Sequence, residues 1–111
     1  MLFLIACTAK NGANLTLESE SLQIKEKLKI GQIIKYKIIV VNTGDDFLTI
    51  ANVVGDCNCI GLTWRSVPIA PQKTDTIFGS LKITDTLPFK KYIVINSNSK
   101  NKFSKFQLLY N

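Results

Sequence analysis

Apolar and polar side chains alternate residue by residue through most of this chain, and a period of two predicts strands rather than helices. Ile34, Tyr36, Ile38 and Val40 alternate with Lys35, Lys37, Ile39 and Val41. Lysines on one face and apolar groups on the other read as a half-buried strand. Asn42-Thr43-Gly44-Asp45-Asp46 follows as a turn, in which Gly supplies a positive φ and Asn and Asp bond back to the backbone. Phe47 to Val54 is the next strand, with Leu48, Ile50 and Val53 facing the core. The step of three from Ile50 to Val53 predicts a bulge near Ala51-Asn52.

Further strands are expected over Leu62 to Val67, Thr74 to Thr84, Phe89 to Asn96 and Phe103 to Tyr110. Pro68 to Gln72 reads as an edge or turn, because proline cannot donate to a ladder. Asn96 to Asn101 is a polar hairpin loop, and Leu15 to Ile24 holds one or two short strands. Ser21 to Gly31 is the one stretch that could be helical; Leu22, Ile24, Leu28 and Ile30 also alternate, so it reads as strand, turn, strand. Six to eight short strands with frequent turns predict an all-β fold, an immunoglobulin-like antiparallel β-sandwich of about seven strands. Its core is expected to hold Ile38, Val40, Ile50, Ile77, Leu81, Ile93, Ile95 and Leu108.

Composition agrees with a single globular domain: 111 residues, 46% hydrophobic and 20% charged. The net charge is +6, and from Lys82 onward six lysines face Asp85 alone. Such bias can serve anionic lipid or glycan, or simply a solvated face. All but one of the 14 cations are lysine, Arg65 being the exception, and arginine is the usual fork for phosphate. No nucleic-acid-binding signature is present, so no nucleic-acid partner is expected.

The opening residues bear on location. Leu4-Ile5-Ala6-Cys7 resembles the bacterial lipobox, an aliphatic residue, a tolerant one, a small one and the cysteine that becomes lipidated. Only six uncharged residues precede Cys7, fewer than the roughly 15–30 of a signal peptide. The alternative is an apolar first strand with a buried thiol. Thr8 to Asn14 is small, polar and Gly-containing, as tethers are. The expected organisation is a residual lipoprotein signal segment at residues 1–6, the lipidated Cys7 and a flexible tether at 7–14, and the sandwich at 15–111. The protein is then expected in the cell envelope, periplasmic or surface-exposed, held to the membrane at Cys7.

The candidate chemistry is Cys57-Asn58-Cys59, in a chain that has no histidine. Without histidine, Ser-His and Cys-His nucleophile pairs are excluded within one chain. Asp45-Asp46 reads as a turn former rather than a carboxylate pair for glycoside cleavage. No catalytic residues, cofactor or metal site are therefore expected. Three readings of the thiols stay open. They pack as small hydrophobes, with Trp64 covering the loop; they form a small, reversible disulfide; or they capture a soft ion such as copper(I). In extended chain their Cα atoms would lie about 6.5–7 Å apart, so a bridge needs a turn through Asn58.

With these residues in place, the chain resembles the bacterial extracytoplasmic family of unknown function numbered 1573. The resemblance rests on Asn42-Thr43-Gly44, Leu48 and Ile50, Cys57-Asn58-Cys59, Trp64, Ile69-Ala70-Pro71, Phe89-Lys90-Lys91 and Ser97-Asn98. Three positions depart from the family pattern: Asn58 and Gln72 stand where it has Gly, and Ile60 where it has Thr. The resemblance implies an immunoglobulin-like domain on a lipoprotein or secreted protein. The functional expectation is a non-enzymatic structural or binding module whose partner is an unknown protein or envelope component. The alternative is a thiol-based role of the Cys57/Cys59 loop.

Overall fold

The computed structural model describes residues 11–111, and all regular structure among them is strand. There are eight: β1 (Leu15–Leu17), β2 (Ser21–Ile24), β3 (Ile33–Asn42), β4 (Ile50–Gly55), β5 (Ile60–Thr63), β6 (Thr74–Lys82), β7 (Phe89–Ser97) and β8 (Phe103–Tyr110). They build two four-stranded sheets, ordered β1-β3-β6-β5 and β2-β8-β7-β4. That is the strand order of an immunoglobulin-like sandwich, with the first strand split between the sheets. Seven expected strands thus become eight. β1 pairs antiparallel with β3, and β2 then pairs parallel with β8, Ser21 opposite Gln107 and Ile24 opposite Tyr110. The chain keeps its heading as it changes sheet, so this one pair departs from the antiparallel expectation.

The core forms where the alternation places it. Ile34, Tyr36, Ile38 and Val40 of β3 face inward, and Ile38 and Val40 are fully buried. Ile38 stands opposite Ile77, Ile34 opposite Leu81, Val53 opposite Ile95 and Ile93 opposite Phe106. All eight residues expected in the core are at most 2% exposed. Burial of a side chain of this size contributes about 1.5–3 kcal/mol, and this apolar interior is the main favourable term holding the sheets together. The bulge is present as well: the β4–β7 register slips between Ile50 and Asn52. Leu48 lies outside β4 yet is fully buried, held by an isolated bridge to Ile69.

Local details differ from expectation at several points. Ser21 to Gly31 forms only its first strand; Leu28 is buried and Ile30 is 72% exposed, on a loop that ends at Gly31 with φ of 90°. Gly44 does not have the expected positive φ. Glycine is needed there for close approach, because a Cβ would meet the backbone of residues 12–14, including Asn14 N at 2.6 Å. Trp64 does not cover the cysteine loop. It follows β5, whose extended run sets it about 16 Å along the chain from Cys59. It packs instead against the edge of the core.

The register places the connections at two ends. One gathers residues 11–14, 42–46, 69–73 and the β7–β8 hairpin. Here the side chain of Asn42, fully buried, donates from Nδ2 to the carbonyls of Asp46 (2.7 Å) and Ile69 (2.8 Å). Its Oδ1 accepts from the Gly44 N–H at 3.0 Å and the Asn14 N–H at 3.4 Å. The Leu15 N–H donates to Ser99 Oγ at 3.0 Å, which ties the hairpin into the same cluster. The other end gathers residues 25–32, 56–59 and 83–88.

Candidate functional site: the disulfide end

The cysteine loop is the link from β4 to β5, where the chain passes from one sheet to the other. A turn at Asn58-Cys59 brings Cys57 and Cys59 to a Cα–Cα separation of 5.2 Å, and the two are joined in a disulfide. That separation lies within the range disulfides use. The turn holds itself with the Ile60 N–H donating to the Cys57 carbonyl at 3.3 Å. Asn58 has no positive φ, so asparagine replaces the family's glycine there without backbone strain. Both half-cystines are partly buried, Asn58 is exposed at the tip, and Cys59 packs against the core.

Neighbouring strands pin the loop. The Asp56 N–H donates to the Tyr92 carbonyl at 3.1 Å, and the Tyr92 N–H donates to Asp56 Oδ2 at 2.9 Å. On the other sheet the Lys82 N–H donates to the Cys59 carbonyl at 2.9 Å. Next to it, the Ile83 N–H donates to the Gln32 carbonyl and the Gly31 N–H to the Ile83 carbonyl, at 2.9 and 2.7 Å. The disulfide loop, the 25–32 loop and the end of β6 are thus one connected surface. Ile30 at 72% and Ile33 at 58% are exposed on it, and Leu87 at 68% is exposed on the 83–88 connection at the same end.

Sequence reasoning found the cysteines and missed these apolar neighbours. Ile30 continues the alternating phase of its segment, which carries no sign that it stands exposed. Leu87, between Thr86 and Pro88, carried the one available signal, an apolar residue in a turn composition. The residue proposed for lipidation, Cys7, lies outside the described residues. Among the described residues no group of three or more His, Cys, Asp or Glu could hold a metal ion. In the disulfide both sulfurs are spent, so neither is a thiolate ligand. No described helix is long and apolar enough to cross a membrane.

Two sheets in this order, with the first strand shared between them, define an immunoglobulin-like or PapD-like β-sandwich domain. Known structures agree. The chain superposes on a crystal structure of a protein of unknown function from Porphyromonas gingivalis W83 with a TM-score of 0.72 and 16% identity, over 96% of this chain and 50% of that one. It superposes on the ASH / PapD-like domain of human CEP192 (PapD-like domain 7) with a TM-score of 0.71 and 7% identity, over 100% of this chain and 93% of that one. A third similarity is to the secreted serine protease VesC from Vibrio cholerae, TM-score 0.66 and 12% identity, over 88% of this chain and 23% of that one. At such identities the likeness is one of fold. This chain spans half the length of the Porphyromonas protein. Residues 15–109 match the family described as protein of unknown function DUF1573, and the chain belongs to that family. No protein with a curated description matches it.

Proposed function

We propose that this domain is a non-enzymatic binding module of a bacterial envelope lipoprotein, and that it meets a protein partner through the disulfide end. The observation that carries the reading is the exposure of Ile30, Ile33 and Leu87 at the same end of the sandwich as a hydrogen-bonded, disulfide-closed loop. Exposed apolar groups gathered on a polar-rimmed surface are the usual mark of an interaction site. A loop fixed on both sheets loses little further freedom on binding, which favours affinity. Residues 11–14 lie at the opposite end, so a lipid at Cys7 would hold the membrane on the far side from this surface. The lipobox-like Leu4 to Cys7 supports that arrangement; of the tether-like Thr8 to Asn14, residues 11–14 are docked on the sandwich rather than free, with Ala13 buried and the Asn11 and Gly12 N–H groups donating to Asp45.

The test is crosslinking in the native host with a photoreactive residue at Ile30 or Leu87 of the intact protein. A discrete adduct from these positions, absent when the probe is at Lys102 on the opposite end, is the expected result. Equal labelling from both ends overturns the reading. Labelling with a palmitate analogue, lost in Cys7→Ser, checks the anchor.

A second reading follows from the bridge itself. A disulfide across one intervening residue closes so short a loop that it constrains the unfolded chain little, which suits a reversible element. Copper(I) capture would require the reduced pair. Mass spectrometry of the native protein with and without reduction before alkylation separates the states: alkylation of Cys57 and Cys59 without reductant rules out a standing bridge.

A further inference from the structure

A groove crosses the outer face of the β1-β3-β6-β5 sheet, on the side away from the core. Two cross-strand rows build it. Lys37 of β3, Phe78 of β6 and Thr63 of β5 stand opposite one another in the first. Lys35, Ser80 and Gly61 do so in the second. The groove has a volume of about 660 Å³. Gly61 leaves it open: a Cβ there would come within 2.7 Å of Ser80 Oγ and project into the space. Phe78 is 52% exposed although the core is complete without it, and Lys37 Nζ lies 5.8 Å from its ring centroid. Lys35 and Lys37 are exposed, as is Lys82 one row further on. No carboxylate lines the groove, and the one ion pair among the described residues, Arg65 with Asp75, leaves these lysines out.

The floor decides what kind of chain could lie there. Beneath Phe78 and Ser80 the floor is β6, an interior strand paired on both sides with β3 and β5, so no peptide can add to it as a further strand. Recognition there must come from side chains: a half-exposed ring with the Lys37 ammonium over one face, two hydroxyls and the flanking ammonium of Lys35. An aromatic ring beside hydroxyls matches the C–H face and hydroxyl rim of a sugar. Unpaired cations in the same groove select sugars that carry carboxylates. We propose that this groove binds an acidic oligosaccharide of the uronate type. Phe78 stacks on a sugar face, Ser80 and Thr63 exchange hydrogen bonds with its hydroxyls, and Lys35 and Lys37 meet the carboxylates. This site is distinct from the disulfide end, and the proposal does not depend on that surface having a partner.

The test uses the intact chain with oligogalacturonate, a neutral galactan oligomer of equal length, oligoglutamate and phosphatidylglycerol vesicles. Trp64, the single tryptophan, follows Thr63 and reports binding by fluorescence, while amide NMR shifts locate it. Oligogalacturonate is expected to bind saturably and shift Gly61, Phe78 and Ser80. The neutral oligomer should bind at least about tenfold more weakly. Phe78→Ala and the Lys35→Gln/Lys37→Gln pair, all at exposed positions, should each weaken binding by about tenfold or more. Gly61→Val should fill the groove and abolish binding; if it fails to fold, the other two variants decide. Absence of saturable binding, equal binding of oligoglutamate or vesicles, or full affinity in Phe78→Ala overturns the proposal.

Discussion

At the scale of single residues, Gln72 and Tyr36 carry a local cost that the rest of the structure holds in place. Gln72 sits in the left-handed region with φ of 69°, the only non-glycine among the described residues to do so. Its N–H donates to the Asn42 carbonyl at 2.8 Å, which fixes the turn, while its side chain reaches only a 3.5 Å contact with the Gly44 carbonyl. Left-handed backbone costs a side-chain-bearing residue about 1 kcal/mol. Gln72→Gly is therefore expected to stabilise by about 0.5–1 kcal/mol, read as a higher denaturant midpoint at unchanged slope. The family's glycine at this position has its physical reason here, which the sequence alone could flag only as a departure. Tyr36 is buried, stacked on Phe106 at 6.3 Å, and its hydroxyl has no hydrogen-bond partner. Burial pushes the phenol up to about 12 from its ordinary 10. The folded state thus holds this proton more tightly than the unfolded chain. The resulting stability is complete below pH 10 and is lost as the pH rises toward 12. Tyr36→Phe should raise stability at neutral pH by about 1 kcal/mol, since an unsatisfied buried hydroxyl is removed. It should also flatten the alkaline unfolding profile over that window, and an unchanged profile would count against the assignment.

Among the elements, alternation made the long strands legible and left their partners undetermined. β3 shows the clearest period of two, and the inward residues of β6, β7 and β8 were readable in the same way. Even the bulge in β4 was visible, because one extra residue between Ile50 and Val53 upsets the phase. What periodicity does not encode is which edge a short strand joins. The split of the first strand, and the parallel pairing of β2 with β8, depend on long-range closure of the sandwich. The 25–32 loop was misread because Leu28 and Ile30 keep an apparent phase although only Leu28 is buried. The sheet edges are modest ones. β5 has four residues and β4 carries the bulge, features that discourage pairing with another chain. The cysteine loop joins these edges, and its bridge adds little stability by loop closure, at most about 2 kcal/mol for so short a loop. Cys57→Ser/Cys59→Ser should accordingly remain folded, with a melting temperature within about 16 °C of the parent. Collapse of the fold in that variant would show that the bridge is a structural staple and would remove the reversible reading.

Over the whole molecule the two ends of the sandwich are finished in opposite ways. The disulfide end closes through main-chain bonds together with exposed side-chain bonds of Asp56 and Gln32, and leaves Ile30, Ile33 and Leu87 in water. The other end closes around three buried polar side chains, Asn42, Ser97 and Ser99, of which Asn42 makes the most bonds. Asn42 stands at the end of β3 and ties together the Asn14 segment, the turn before Leu48 and the bridge at Ile69. Its backbone joins the same cluster, the N–H donating to the Lys73 carbonyl at 3.0 Å. The lysines near the C-terminus do not gather at either end. Lys82 faces out from one sheet, Lys90 and Lys105 from the other, and Lys100 and Lys102 lie in the hairpin. The sequence bias in charge therefore does not form a single patch, and the basic groove draws on Lys35 and Lys37 instead. Truncating Asn42 leaves the partly buried Asp46 carbonyl and Gly44 N–H without their side-chain partner, while the buried Ile69 carbonyl keeps only the Leu48 N–H. Unsatisfied buried groups cost about 1–3 kcal/mol each, so Asn42→Ala should destabilise by about 3 kcal/mol or more. In a domain near 100 residues that lowers the melting temperature by more than about 12 °C. Amide exchange should quicken first at residues 11–15, 42–48 and 69–73, while the disulfide end keeps its protection. Uniform loss of protection would mean that the two ends form one cooperative unit. Protection that survives at the disulfide end would leave its surface free to vary with the partner while the opposite end holds the sheets together.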